Sequence, residues 1–506
     1  MAEYRQSAAL DGGIVEKTAS TTIATTSTML SPEEDKRLLR KIDLCLLPIL
    51  AVSYMFQYLD KSALSLTAIL GIREDLGVSG SAYSWANSVY YFGYLIASYP
   101  AAALMVRLPT EKQSQRQCTS SPAFVMRKLH SRTMSRFRAD LLLVFPFSFF
   151  WGCILIMTPL CFNSAGLLAN RFFLGATEAA IAPGLGVLVS MWYKRSEQPL
   201  RHAAWFLGNT FAGMVGNLMG YGIGHIHTIA SWKAVFAIFG AATVAWGIAM
   251  VMILPDVPNK AFFLSKEDRE KAILRVQENM TGIKNNNIKW PQVREALTDP
   301  KAWILVLIQL CSNIPNGGVA SFGPIIIQGM GFSTFSTLLL NSLSYVFQAA
   351  FVLIATIGST YLRNTRTLWI AWGFSMSLAG AIMVRVLDPS QRWSRFIGYS
   401  FLLGYVCSFP LNISMITSNT GGFTKKMTMN SMIFIAYCVG NIIGPQLFFA
   451  RESPKYTSGF LAMLLRNATK VLELLKTGFE TTVYVHGILV WPTPDLFPAD
   501  YIQNGK

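Results

Sequence analysis

The chain has 506 residues, of which 52% are hydrophobic and only 14% charged, and its mean hydropathy is positive. That balance excludes a single soluble domain and indicates an all-α polytopic membrane protein. The formal net charge of +16 does not point to nucleic acid, because the basic residues sit in short clusters between apolar runs, the pattern of cytoplasmic loops.

Cys45, Cys118, Cys153, Cys161, Cys311, Cys407 and Cys438 are scattered without a CxxC pair, so neither a metal site nor a disulfide framework is expected. No GxxxxGK[ST] phosphate loop occurs, which argues against an ATP-driven pump. No nucleophile and base pair up in a soluble segment, so neither an enzyme nor a cofactor is expected.

Residues 1–41 are polar, with a Thr/Ser-rich run from Thr18 to Thr28 and no apolar signal core, and read as a disordered cytoplasmic tail. Apolar runs of about 20 residues, the length that spans a bilayer, then recur near 42–62, 85–106, 141–161, 166–192, 203–225 and 234–254. After a polar segment they resume near 302–324, 338–359, 367–386, 395–418 and 430–450. A twelfth run beginning near Tyr456 stops at Arg466, so the twelfth helix reads as truncated. The division is then a six-helix half over 42–254, a charged central loop over 255–301, a second half over 302–465 and a tail over 466–506. Six spans, a charged loop and six more is the plan of transporters built from two related halves. Internal similarity is weak: Gly208-Asn209 and Gly440-Asn441 occupy matching positions in the fifth and eleventh spans.

With the amino terminus inside, 24 Lys and Arg fall in inner loops and seven in outer ones. This asymmetry places the amino terminus in the cytoplasm. Within the central loop, LSKEDREKAILRVQENM carries apolar Leu264, Ile273, Leu274 and Val276 among mixed charges, as a surface helix would.

Four ionisable residues interrupt the apolar runs. Asp60 and Lys61 end the first span in YMFQYLDKSALSL; neighbours on a helix point about 100° apart, so at least one should face an interior cavity. The alternative is an interfacial pair, with Lys61 snorkelling and Asp60 capping. Arg171 and Glu178, in NRFFLGATEAAIAPG, are separated by about 700° of helical turn and so share one face roughly 10 Å apart. Ionisable side chains are expensive in a membrane, and such a pair reads as a substrate or proton site; an interfacial anchor and a structural ion pair are the alternatives. Burial and a nearby cation push a carboxyl group in opposite directions, which would hold Glu178 where a proton or a substrate tips its charge.

Pro183 and Gly184 are expected to interrupt the fourth span, Pro315, Asn316, Gly317 and Gly318 to break the seventh, and Pro410 to break the tenth just before Asn412. Broken helices expose polar backbone to substrate, which makes Asn316 and Asn412 binding candidates; gating is the other use of such kinks. Gly213, Gly216, Gly220 and Gly224 form a small-residue face for close helix packing. His225 and His227 read as solvated, and the sequons at Asn279 and Asn467 lie on the inner side, where no glycosylation is expected.

FQYLDKSALSLTAILGIREDL, YSWANSVYYFGYLIASYP, RFFLGATEAAIAPG with WYKRSEQPLR, and GNIIGPQLF resemble the fungal allantoate permease branch of the anion:cation symporters, in the major facilitator superfamily. The resemblance covers roughly residues 31–106 and 147–465. It implies a proton-coupled importer of small organic anions, such as ureido acids or vitamin-like monocarboxylates, with twelve helices in two halves, acting as a monomer in the plasma membrane. It further implies that Asp60 and Glu178 carry protons, and that Lys61 and Arg171 hold the substrate carboxylate. Arg171 is favoured as the anchor, since arginine grips a carboxylate with two hydrogen bonds.

The chain departs from that pattern in two places. Residues 110–145 insert a basic, Ser-rich stretch, and residues 466–506 replace the end of the usual twelfth helix. Translated intron, a misplaced gene-model end and a loop that binds anionic lipid are the readings of these segments. They leave a second hypothesis beside transport: a nutrient sensor, or an inactive product of a mis-spliced or damaged transporter gene.

Overall fold

The computed structural model of the chain describes residues 31–107, 149–194, 197–226, 228–254, 261–280, 289–362, 365–419, 423–452, 456 and 458–460. The basic insert 110–145, the tail 466–506, His227, Asn467 and the expected twelfth span beyond Phe460 lie outside the described residues, as does the amino-terminal segment up to residue 30.

Helix α1 runs over Pro32–Thr67, about 54 Å at 1.5 Å per residue, and is longer than a bilayer requires. It starts ahead of position 42, so the expected disordered tail ends earlier than residue 41. The cause is local: Ser31 and Glu34 form a capping box with Pro32 at the first position and Glu33, Glu34 and Asp35 in the first turn, each favourable at a helix amino terminus. Its buried stripe, Leu38, Ile42, Leu46, Leu50, Ser53, Gln57, Asp60 and Leu64, repeats every three or four residues. Asp60 therefore occupies a core position.

A single turn, α2 (Ile72–Asp75), leads to α3 (Gly80–Arg107). Then follow α4 (Phe149–Leu160), α5 (Ser164–Glu178), α6 (Ile181–Trp192), α7 (Gln198–Ile223) and α8 (Ser231–Ile253). The fourth span is broken at Ala179 and Ala180. Pro183, in the first turn of α6, has no N–H to donate to the carbonyl four residues back, so the break falls upstream of the proline and leaves Glu178 as the last residue of α5.

After α9 (Lys266–Met280) and α10 (Trp290–Thr298), the second half comprises α11 (Pro300–Gln328), α12 (Thr334–Tyr361), α13 (Arg366–Val386), α14 (Arg392–Leu402), α15 (Ser408–Asn419) and α16 (Phe423–Gln446). The tenth span is interrupted as expected: a 3-10 stretch over Leu403–Cys407 separates α14 from α15, just ahead of Pro410. The seventh is not. Helix α11 continues through Pro315 and Pro324, and the small residues there serve packing, because a Cβ on Gly317 would lie 2.9 Å from Asn441 Cα in α16. Among the described residues, α1, α8, α11, α12, α13 and α16 are long and apolar enough to cross a membrane.

The two halves repeat one packing device. Gly208 brings α7 onto α1, where an added Cβ would sit 3.2 Å from the Ala51 carbonyl carbon, and Gly440 brings α16 onto α11, where it would sit 2.8 Å from the Leu310 carbonyl oxygen. The paired Gly-Asn positions of the sequence are thus equivalent contacts. Gly216 and Gly220 extend the face of α7 along Leu59 and Leu66 of α1.

The central segment is divided between the halves. Helix α9 docks on the amino-terminal one: Arg275, buried, is bonded to Asp35 at 2.6 Å and to Glu197, and Lys41 reaches Asp268 at 2.6 Å. The Lys41 hydrogen bond holds the Asp268 carboxyl below the usual carboxylate range. Ala272 and Arg275, not Leu274, face the protein on this helix. Helix α10 goes with the carboxy-terminal half, where Lys425 of α16 bridges Glu295 and Asp299 at 2.9 and 3.0 Å.

The halves meet along α7 with α12 and α3 with α16, toward the end where α1 finishes and α3 begins. Asn341 donates to Asn217 at 2.9 Å, Gln348 to Thr210 at 3.2 Å, and Gln446 to Ser88 at 2.9 Å. Tyr83 donates to the Ser321 carbonyl at 2.6 Å.

Candidate functional site

The site begins with two glycines. A Cβ on Gly93 of α3 would lie 3.0 Å from the Phe172 carbonyl carbon, and one on Gly175 of α5 would lie 2.9 Å from that of Tyr90. Only bare backbone allows this approach. It presses the Arg171–Glu178 face of α5 against the tyrosine face of α3.

Arg171, Glu178 and Asp60 are each 1% exposed or less. Among the described residues none of them, nor Lys61, forms an ion pair within 4.0 Å, so the arrangement is not a closed structural salt bridge. Their surroundings are π faces and hydroxyls. The Lys61 ammonium lies 5.0 Å from the Tyr91 ring centre and 5.6 Å from that of Tyr58, and the Arg171 guanidinium lies 5.2 Å from Phe236 of α8. Cation–π contacts hold a cation without neutralising it.

Arg171 Nε and Nη2, the two nitrogens of one guanidinium edge, are buried without a hydrogen-bond partner. Tyr90 and Gln57 approach the Glu178 carboxylate, but neither of its oxygens completes a well-aligned hydrogen bond. Asp60 Oδ2 accepts from Thr243 Oγ1 of α8 at 2.7 Å, and its Oδ1 has no partner.

Lys61 and Arg171 line one narrow slot, with Tyr58, Ser62, Ser65, Asn87, Tyr90 and Tyr91 from the amino-terminal half and Gly317, Ala320 and Ser321 of α11 from the other. No aspartate or glutamate is part of this wall. Two cations, aromatic faces and hydroxyls form a surface that suits a small anion with a planar or polar body.

Of the six residues singled out in the sequence, the structure brings Asp60, Lys61, Arg171 and Glu178 together and sets Asn316 and Asn412 apart. Asn316 donates to Asn441 at 2.8 Å, and Asn441 to Asn313 at 3.1 Å, an amide chain between α11 and α16. Asn412 is fully buried against α11, donating to Gln309 at 2.9 Å. Neither lines the slot. Sequence reasoning passed over Tyr58, Asn87, Tyr90, Tyr91 and Thr243. Tyr58 lies three residues before Lys61, on the same helix face, and Asn87, Tyr90 and Tyr91 fall in the polar run SWANSVYY of α3; Thr243 gave no signal.

The family model of the Major Facilitator Superfamily matches residues 129–445. An uncharacterized transporter of Schizosaccharomyces pombe is 33% identical over 454 residues, 90% of this chain and 81% of that protein. The allantoate permease of Saccharomyces cerevisiae is 29% identical over 458 residues, covering 88% and 79%. Among solved structures, a D-xylose–proton symporter superposes with a TM-score of 0.60 at 11% identity, over 85% of this chain and 96% of that one. A bacterial homologue of the human lysosomal transporter Spinster superposes at 0.59 and 12%, over 88% and 98%. These structural likenesses bear on the fold alone.

Proposed function

Because the chain belongs to the Major Facilitator Superfamily and is accordingly an integral membrane transporter, we propose that it takes up a small organic anion together with protons by alternating access. The observation that carries this reading is the unsatisfied Arg171 edge beside Lys61, in a slot wall without acids. A buried donor pair is costly to leave unmade, and a carboxylate satisfies both nitrogens with two parallel bonds. Lys61, caged by Tyr58 and Tyr91, supplies a second positive charge to the same anion.

Asp60 and Glu178 carry the protons in this proposal. Glu178 lies within electrostatic reach of both Lys61 and Arg171. An anion bound to those cations offsets their influence on Glu178 and favours its protonation, and a proton on Glu178 favours the anion by the same factor. That reciprocity is the coupling. Asn316 and Asn412 take the role of interhelical links near moving helices rather than of ligands.

The amino terminus is assigned to the cytoplasm of the plasma membrane, on the loop charges. The contacts between α7 and α12 and between α3 and α16 then close the slot on the outer side, and release to the cytoplasm precedes their opening. Allantoate is the first substrate to test, given the similarity to an allantoate permease. Labelled allantoate uptake in a host lacking its own permeases, at several external pH values and with nicotinate and pantothenate as competitors, tests the reading. Uptake that rises as external pH falls is expected; uptake of each labelled carboxylate at the empty-host rate overturns it.

A further inference from the structure

We propose that Thr243 is a positioning residue for proton exchange at Asp60, acting through one hydrogen bond. The inference rests on the reading of Asp60 as a proton carrier. Asp60 belongs to the buried stripe of α1 and does not line the slot, whereas Lys61, the next residue, does. Its carboxylate turns to α8, where the Thr243 hydroxyl donates to Oδ2 at 2.7 Å. A threonine in a helix ordinarily bonds a carbonyl of its own preceding turn, as Thr67 and Thr177 do here; Thr243 reaches across to another helix instead.

Thr243 also stands on the wall of a second, small cavity between α1, α4, α6 and α8, with Ser53, Trp151, Gly184 and Trp246. Trp151 is buried there with its indole N–H unpartnered. This cavity shares no lining residue with the slot. The hydroxyl thus ties the carboxylate to the α8 side of α1 and leaves the slot to the cations.

The charged groups that act on Asp60 are Arg171 and Glu178 from α5, with Lys61 beside it on α1. The one ionised side chain of α8, Lys233, lies ten residues from Thr243, and the basic residues of α7, Arg201 and His202, are at its first turns. That background is common to the wild type and the Thr243 variants, so the Thr243 bond is a separable contribution. A hydrogen bond donated to a carboxylate favours its charged form, so removing the hydroxyl makes the proton harder to release. A bond to a charged group corresponds to about one pH unit or somewhat more.

Infrared titration of the purified full-length protein in detergent, reading the protonated-carboxyl C=O band, tests this without a substrate. Asp60→Asn is expected to delete one titrating component. Thr243→Val should move the midpoint of that component to higher pH by about one unit, Thr243→Ala should do the same, and Thr243→Ser should return it. In the Asp60→Asn background, Thr243→Val should leave the remaining titration unchanged. If Asp60→Asn deletes no component, the proton reading of Asp60 fails and this inference with it. If it deletes one whose midpoint neither Thr243→Val nor Thr243→Ala moves, the role of Thr243 is overturned while the proton reading stands.

Discussion

Asp60 and Lys61 are consecutive residues whose side chains face different neighbours of one helix: Asp60 is fastened to Thr243 at 2.7 Å inside the amino-terminal half, and Lys61 lies 5.0 Å from the Tyr91 ring in the slot between the halves. A turn of about 100° per residue sends an adjacent acid and base to different surroundings, which the proposed function uses as a proton site and an anion site. Among the described residues the two charges form no ion pair with each other.

Replacing Lys61 by Ala is expected to raise the KM for a carboxylate substrate about tenfold or more, the equivalent of one hydrogen bond to a charged group. Lys61→Arg should retain much of the affinity, because a guanidinium also sits well against tyrosine rings. Initial uptake rates over a substrate series check this; equal KM values for the wild type and Lys61→Ala would remove Lys61 from the site.

Arg171 carries the larger effect. Its two unpartnered nitrogens predict that Arg171→Ala weakens carboxylate binding by a factor on the order of 10². Arg171→Lys should recover only part of this, since an ammonium cannot present two parallel donors. Direct binding to purified protein separates the variants, and full affinity in Arg171→Lys would refute the bidentate grip.

Glu178→Gln keeps the shape of the side chain and removes its proton chemistry. Accumulation of substrate against its gradient should cease, while exchange of labelled for unlabelled anion continues, because exchange needs the anion site and not the proton. Counterflow in proteoliposomes measures the second process and a pH jump the first. Uphill uptake by the variant at the wild-type level would exclude Glu178 as a carrier.

The four ionisable residues were legible in the sequence because a charge within an apolar run is costly and therefore conspicuous. Tyr58, Tyr90 and Tyr91 were not, since aromatic residues in an apolar helix face lipid, core or cavity with the same pattern. Thr243 was silent for a related reason: threonine in a helix usually satisfies itself, and only the fold shows that this one does not. The misreading of Pro315 is instructive beside Pro183 and Pro410. All three lack the N–H, yet α11 stays whole because membrane helices accept proline where neighbouring groups meet the freed carbonyls. Asn412, read as a ligand candidate, is one half of an amide pair with Gln309, the glue that polar side chains provide between buried helices.

The reciprocal glycines predict a stability effect at the site's foundation. Gly175→Ala should destabilise the protein by about 1–3 kcal/mol despite the better helix propensity of alanine, because its Cβ meets the Tyr90 carbonyl. Gly222→Ala, whose Cβ would meet nothing within 4 Å, should change stability by less than about 0.5 kcal/mol. Thermal unfolding in detergent compares them, and equal melting temperatures would contradict the packing argument.

The docking of α9 should respond to both mutation and pH. Arg275 bonds Asp35 and Glu197, and Arg275→Met would leave two carboxylates facing each other. Both retain some solvent contact, so the cost falls below that of a fully buried pair, at about 1–3 kcal/mol. Asp268 adds the pH dependence. Its carboxyl is held below the ordinary value by Lys41, so its contribution is complete above the unfolded value of about 4 and disappears as pH falls through the depressed folded value. Hydrogen exchange of the Lys266–Arg275 segment, corrected for the intrinsic rate, should therefore be flat between neutral pH and about pH 5 and accelerate below it. The Lys41→Ala variant should lose that acid limb while keeping the Arg275 contribution. An acid limb that persists in Lys41→Ala would assign it to another carboxylate, such as Glu34, held low by Lys271, and not to the Lys41–Asp268 bond.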